Sequence, residues 1–250
     1  PYESDLPFYC RIPANLSHSL IVYSKNALAH EVGEGPFEKS NTIFPDWSFD
    51  YTSDEDKANF RKKYSAIPLI SQITRGNFER ISETVYQAQA GVVSIYKADI
   101  QYLKSEVNKT KRNSVRLNVH QSVDAKLHEM FVVYKGSTYI RPIANVDRDK
   151  SLYILEGTAD FIFFDDKGEI LDVIELSDKV GKKNNFVRVP QNLYHTIIMR
   201  SEFMVVHEAM IGPFDTKDTD WVSWAPADDD HEGIIEYQDS LERQVQSFKA

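Results

Sequence analysis

Between residues 114 and 210 the chain runs through nine short segments, each rich in β-branched and aromatic residues and bounded by turn formers. They are SVRLNVHQS, EMFVVYKG, STYIRPIA, SLYILEG, TADFIFFDD, EILDVIELS, NFVRVPQ, LYHTIIMR and FMVVHEAM, and Asp166-Lys167-Gly168 is a turn signal between two of them. No helical period interrupts the series. Strands in such number bury their apolar faces only by closing into a sandwich or barrel, so the expected class is mainly β.

The periodicity changes near residue 90, which divides the chain into an N-terminal extension (1–90), a barrel domain (91–226) and an acidic loop with a helix (227–250). In the extension, LSHSLIVYSKNALAHEV reads as a short strand with an irregular stretch. SDEDKANFRKKYSAI reads as a helix capped by Ser53, with Asp56 three residues on. A second helix is expected over NFERISETVYQAQA, ended by Gly91, and the aromatic-rich TIFPDWSFDY between the two serves as a core plug, a dimer contact or a sugar-stacking surface. VVSIY then predicts a strand. ADIQYLKSEVNKTKRN predicts a helix with Asp99 near its start and basic residues at its end, as the helix dipole favours. The tail IIEYQDSLERQVQSF has the spacing of a surface or interface helix.

Composition narrows the function classes. At 250 residues and 42% apolar the chain can bury a sizeable core, while a net charge of −9 and a pI near 5.3 argue against a general nucleic-acid or anionic-membrane surface. A single cysteine, Cys10, excludes an intramolecular disulfide and a multi-cysteine zinc site, and is expected to be a buried bystander thiol. No run approaches the ~18 apolar residues of a membrane span. PYESDLPFYC lacks the basic-then-apolar order of a secretory signal, so a cytoplasmic protein is expected, provided that Pro1 is near the native start.

Two places fix a barrel register: the strand pair ending at Gly157, and VPQNLYHT, a proline turn feeding a strand that opens with a histidine. This layout resembles a cupin. In that fold one motif supplies two histidines as H-x-H and a glutamate on the next strand, and a second motif supplies another histidine. Strand alternation turns both imidazoles of H-x-H toward one ion. More specifically, RLNVHQS, GSTYIRP, SLYILEG, FFDDKGEI, VPQNLYHTI, EAMIGPFD and WVSWAPADDD, in that order, resemble the WbuC family of cupin-fold metalloproteins, which accompany surface-polysaccharide (O-antigen) gene clusters. The resemblance spans roughly residues 92–226 and implies a cupin (double-stranded β-helix, jelly-roll) barrel, to which the sequence pattern adds an N-terminal α/β extension and a C-terminal helix.

Carried over residue by residue, the family's RPHRH stands here as RPIAN. Ile143 and Asn145 then occupy the two histidine positions, Lys150 the glutamate position, and His195 alone is retained. Isoleucine cannot ligate, a carboxamide is weak toward zinc or iron, and an ammonium repels a divalent ion by several kcal/mol at roughly 4 Å. The resemblance therefore implies a degenerate metal site and no metal cofactor.

Strand alternation gives the remaining expectations. If positions 143 and 145 face inward, so do Tyr139 and Arg141; Lys150 takes Leu152 and Ile154 with it, and His195 takes Ile197 and Met199. Arg116, Asn118 and His120 share one face, and Glu208 stands where the family carries an acid before the GPF turn. His195 and His120 are the candidate acid–base residues. Arg116, Asn118, Arg141, Lys150, Tyr139 and Glu208 are the candidate ligand contacts, around a small anionic or hydroxyl-rich molecule. His18, His30 and His231 show no ligand spacing, the acid run 228–232 reads as a solvated loop, and Trp221, Trp224 and Pro226 are expected to anchor the C-terminal segment.

Three function classes follow. The first is a metal-free, WbuC-like cupin that binds a sugar or nucleotide sugar in polysaccharide biosynthesis, with epimerisation or isomerisation as the chemistry available without a metal. The second is a non-catalytic ligand-sensing or dimer-scaffold module. The third is a metal-dependent enzyme with shifted ligands, drawn from His120, His128, His195 and His207. A homodimer paired through a sheet edge is expected, with neither nucleic acid nor membrane as partner.

Overall fold

In chain order the elements are β1 (Tyr9–Arg11), α1 (Asp54–Tyr64), β2 (Phe78–Arg80), β3 (Val85–Ala88), β4 (Val93–Ile95), α2 (Lys97–Val107), β5 (Ser114–Asn118), β6 (Leu127–Lys135) and β7 (Ile143–Asn145). There follow β8 (Lys150–Glu156), β9 (Thr158–Phe164), β10 (Ile170–Ser177), β11 (Phe186–Val189), β12 (Tyr194–Met199), β13 (Phe203–Ile211), β14 (Thr219–Trp221) and α3 (His231–Lys249). The computed structural model describes residues 6–20, 22, 24–44, 53–64, 78–89, 91–179, 181 and 183–250.

A seven-stranded sheet in the order β11-β8-β13-β6-β5-β3-β2 faces a five-stranded sheet in the order β10-β9-β12-β7-β14. The pairings are antiparallel except β3 with β5. This is the jelly-roll barrel of the cupin fold, with a small N-terminal sheet of β1 and β4 and a C-terminal helix. No helix among the described residues is long and apolar enough to cross a membrane.

Strand alternation divides the apolar side chains among three cores. In β6, Met130 and Val132 point between the sheets while Phe131 and Val133 point outward; in β9, Phe161 and Phe163 point between the sheets while Ile162 and Phe164 point outward. The outward sets are buried as well. Phe131 and Val133 pack with Leu103 and Val107 of α2, and Ile162 and Phe164 pack with Leu241 and Val245 of α3. Covering both faces accounts for the near-continuous apolar runs FVV and FIFF, where a half-exposed strand would alternate apolar with polar.

Local signals set the turns. Gly157 joins β8 to β9 at φ +96°, and a Cβ there would lie 2.3 Å from the Phe203 carbonyl oxygen, so both conformation and space demand glycine. Between β9 and β10 the Asp165 carboxylate accepts from the backbone N–H groups of Lys167 and Glu169, each at 2.9 Å. Ser53 Oγ accepts from the backbone N–H of Asp56 at 3.1 Å, capping α1 as its sequence indicates.

Several expectations are corrected. Within NFERISETVYQAQA the described residues, 78–89, form a hairpin, β2 and β3, and not a helix. Its Glu, Arg, Gln and Ala residues carry helix propensity, but pairing of β3 with β5 and burial of Tyr86 and Ala88 favour the extended form. Tyr86 donates to Glu106 of α2 at 3.0 Å, and Arg80 closes the turn by donating to the Ser82 and Glu83 carbonyls. The seven-stranded sheet therefore begins at Phe78, inside the stretch assigned above to the extension. STYIRPIA yields only Ile143 and Ala144 to the three-residue β7, because Pro142 has no N–H for a ladder. LSHSLIVY shows no strand among its described residues, and Cys10 is exposed. Most of TIFPDWSFDY lies outside the described residues.

Candidate functional site in the barrel interior

His195 pairs with Ile143 across β12 and β7, and with Phe163 across β12 and β9. Directly paired residues share a face, and Phe163, Ile197 and Met199 line the core between the sheets, so His195, Ile143 and Asn145 all face inward. Lys150 lies on the facing sheet, in step with the core residues Leu152 and Ile154. These are the four positions that the WbuC resemblance equates with metal ligands.

His195 is 3% exposed, and its ring stacks on Phe161 with centroids 5.4 Å apart and planes 12° apart. Its Nδ1 is 2.8 Å from the Leu193 carbonyl oxygen. A carbonyl only accepts, so Nδ1 carries the proton and Nε2 carries the lone pair. Burial, and then the nearby Lys150 ammonium, hold the imidazole well below its ordinary pKa and thus neutral. Nε2 is buried and has no hydrogen-bond partner. Asn145, 6% exposed, likewise has an unpartnered Nδ2.

Lys150 Nζ lies 4.0 Å from Glu208 Oε1, with the two side chains 10% and 14% exposed, so the pair is largely but not wholly removed from water. Glu208 alternates with Met204 and Val206 on the inner face of β13. Tyr134, packed against the same core, has its phenol pKa raised by burial and then by Glu208. The sequence reading missed Tyr134 and Phe161, although each shares the two-residue period of its strand with core positions already in view.

Other candidates lie elsewhere. Tyr139 precedes the strand, donates to the Pro226 carbonyl at 3.0 Å and meets Tyr237 of α3, so it is outside the interior. Arg141 donates to the Val222 carbonyl and lies over Trp221, 5.6 Å from its ring centroid, at the sheet edge. Arg116 pairs with Val132 but is exposed, because the seven-stranded sheet extends beyond its partner there. Asn118 donates to Gln87 at 3.3 Å.

His120 lies beyond the end of β5, its Nδ1–H donating to the Glu129 carbonyl at 2.9 Å. Its ring stacks on that of His128, with centroids 4.0 Å apart. Burial, and then His128, push its pKa down to about 4 against the raising effect of its backbone bond. His128 donates through Nε2 to the Val123 carbonyl at 3.0 Å. His207 faces the outer side, where its Nε2 is 3.4 Å from Glu129 Oε1.

A divalent ion does not fit this interior. The four positions offer one imidazole lone pair, a hydrocarbon, a carboxamide and an ammonium, and the ammonium repels a cation. Among the described residues no three His, Cys, Asp or Glu side chains converge as a metal site, so the shifted set of His120, His128 and His195 is not assembled.

Two clefts open on outer surfaces. One of about 120 Å³ lies beside α3 and includes Tyr139, Thr196, Tyr237 and Leu241; a broader groove of about 730 Å³ includes Lys104, Glu156 and Ser201. Neither includes His195, Lys150 or Glu208.

Residues 95–176, a third of the chain, match the family model described as a domain of unknown function (DUF6016). Comparison with curated proteins gives no match. Among solved structures the chain is similar to protein SO0799 of Shewanella oneidensis (13% identity, 46% of this chain and 77% of that one, TM-score 0.39). It is also similar to the Cnp3 cupin domain of Schizosaccharomyces pombe (11% identity, 43% and 69% covered, TM-score 0.33). A third similar structure is Streptomyces Pac13, described as a nucleoside dehydratase (14% identity, 46% and 84% covered, TM-score 0.34). At these identities and scores the likenesses carry no residue role, ligand or activity over to this chain.

Proposed function

We propose that this chain is a small-molecule-binding cupin barrel whose ligand, a sugar or nucleotide sugar, sits between the sheets against His195, Asn145, Lys150 and Glu208. The observation that carries this reading is the buried, neutral His195 on the inner face of β12, with its Nε2 unpartnered. A polar atom left unpaired in a core is destabilising unless something recognises it, and a hydroxyl is the simplest group that does. The surface-polysaccharide context and the cytoplasmic setting come from the WbuC resemblance and the sequence, and a homodimer formed through one of the terminal strands β2, β10, β11 or β14 belongs to the same reading.

The chemistry the site supports is proton transfer. Nε2 accepts the proton of a carbon beside the sugar carbonyl, the C–H electron pair passes to the carbonyl oxygen as an enediolate, and return of that proton to the neighbouring carbon completes an isomerisation or, to the other face of the same carbon, an epimerisation. Asn145 Nδ2 orients the sugar by donating to a hydroxyl oxygen. The test is thermal-shift screening of nucleotide sugars and their parent sugars. A hit is expected that stabilises the wild type and is weakened at least tenfold by His195→Ala. Absence of any shift across the panel contradicts the reading, and binding without turnover leaves a binding module.

A further inference from the structure

The charges facing the interior cancel. The Lys150 ammonium is 4.0 Å from the Glu208 carboxylate, His195 is neutral and Asn145 is uncharged. The two nearby arginines do not alter this balance: Arg141 is committed to the Val222 carbonyl and the Trp221 ring, and Arg116 is exposed. An anion entering between the sheets would have to displace Glu208 from Lys150, or sit beside that carboxylate where water screens it weakly. An uncharged hydroxylated group meets no such opposition. Its O–H donates to His195 Nε2 and its oxygen accepts from Asn145 Nδ2, while Phe161, Ile143 and Leu152 supply apolar walls for its C–H faces.

We propose that the barrel interior selects an uncharged, hydroxyl-bearing fragment, and that Glu208 is the specificity-determining residue, excluding carboxylates and phosphates by occupying Lys150. This rests on the reading that the ligand lies between the sheets, and refines it: with a nucleotide sugar, the sugar ring enters and the diphosphate stays outside. Removing the Glu208 charge frees the ammonium, so Glu208→Gln converts a site for neutral rings into one that accepts anions.

The test uses matched pairs that differ by one carboxylate, glucose with glucuronate and galactose with galacturonate, titrated by calorimetry and ligand-observed NMR into the full chain. Wild type is expected to bind the neutral member of at least one pair at least tenfold more tightly than its acid. Glu208→Gln is expected to reverse that order, and His195→Ala to weaken the neutral member. Acid binding as tight as neutral binding in the wild type, or an unchanged order in Glu208→Gln, overturns the proposal while leaving an interior ligand site intact. Failure of every pair member to bind overturns the interior site itself.

Discussion

His195 stands directly opposite Ile143 in the β12–β7 pair, both side chains turned into the barrel. An imidazole therefore faces a hydrocarbon where the family resemblance puts two ligands of one ion. If these positions keep the geometry of a metal site and lack only its donors, Ile143→His, Asn145→His and Lys150→Glu together should create one with His195. Calorimetry should show the triple variant binding one zinc or nickel ion per chain, with the wild type at least a hundredfold weaker. A folded triple variant with no gain would mean that the four positions do not share a site.

Buried neutral imidazoles give stability a pH dependence with a definite sign. His195, His120 and His128 all have folded-state pKa values below the ordinary histidine value. Above about pH 6.5 they are neutral in both the folded and the unfolded chain and contribute nothing to the slope. As the pH falls below that value, the unfolded chain binds protons that the folded chain refuses. Stability therefore declines toward about pH 4, where His120 titrates, by up to about 1.4 kcal/mol per pH unit for each group. Urea midpoints should fall between pH 7 and pH 5, less steeply in His120→Gln. A flat profile contradicts the burial of these rings.

Glu129 is a buried carboxylate on the outer face of β6, 3.8 Å from Arg11 of β1 and 3.4 Å from His207 of β13. The phenol of Tyr9 is buried beside it, its pKa raised by burial and then by Glu129. Glu129→Gln leaves Arg11 without its carboxylate and should reduce stability by about 1–3 kcal/mol. Hydrogen exchange should quicken in β1 before the rest of the sheet.

Asp160, 2% exposed on β9, accepts from Arg200 Nε at 2.8 Å and from Lys249 Nζ at 2.6 Å, which fastens the C-terminal end of α3 to the five-stranded sheet. Asp160→Asn should reduce stability by about 2–4 kcal/mol, because two partly buried cations lose their common anion. Hydrogen exchange should rise along α3, whereas Asp229→Asn, in the exposed loop before it, should change stability by less than about 0.5 kcal/mol.

The barrel was legible because its strands carry a two-residue period and the turn chemistry of Asp165 to Gly168, both local signals. The hairpin β2–β3 was not, because what holds NFERISETVYQAQA extended is pairing with β5, which no short-range pattern encodes. In the site, alternation placed Ile143, Asn145, Lys150 and His195 on the inner wall, since each lies within a continuous strand. It failed for Tyr139, which precedes the ladder, and for His120, which follows one. Sheet width placed Arg116 outside, a property of how far one sheet overlaps the other and not of its own strand. The carbonyl that fixes the His195 tautomer belongs to Leu193, a backbone group that residue identities do not reveal.

The decisive measurement is the nitrogen NMR of the His195 ring, assigned by comparison with His195→Ala and followed from pH 7.5 to 5 with and without the best-bound sugar. The expected result is a neutral ring protonated at Nδ1 throughout, with an unprotonated Nε2 resonance that moves when the sugar is added. A ring that takes up a proton near pH 6.5, or an Nε2 signal indifferent to every ligand that binds the chain, would contradict the site.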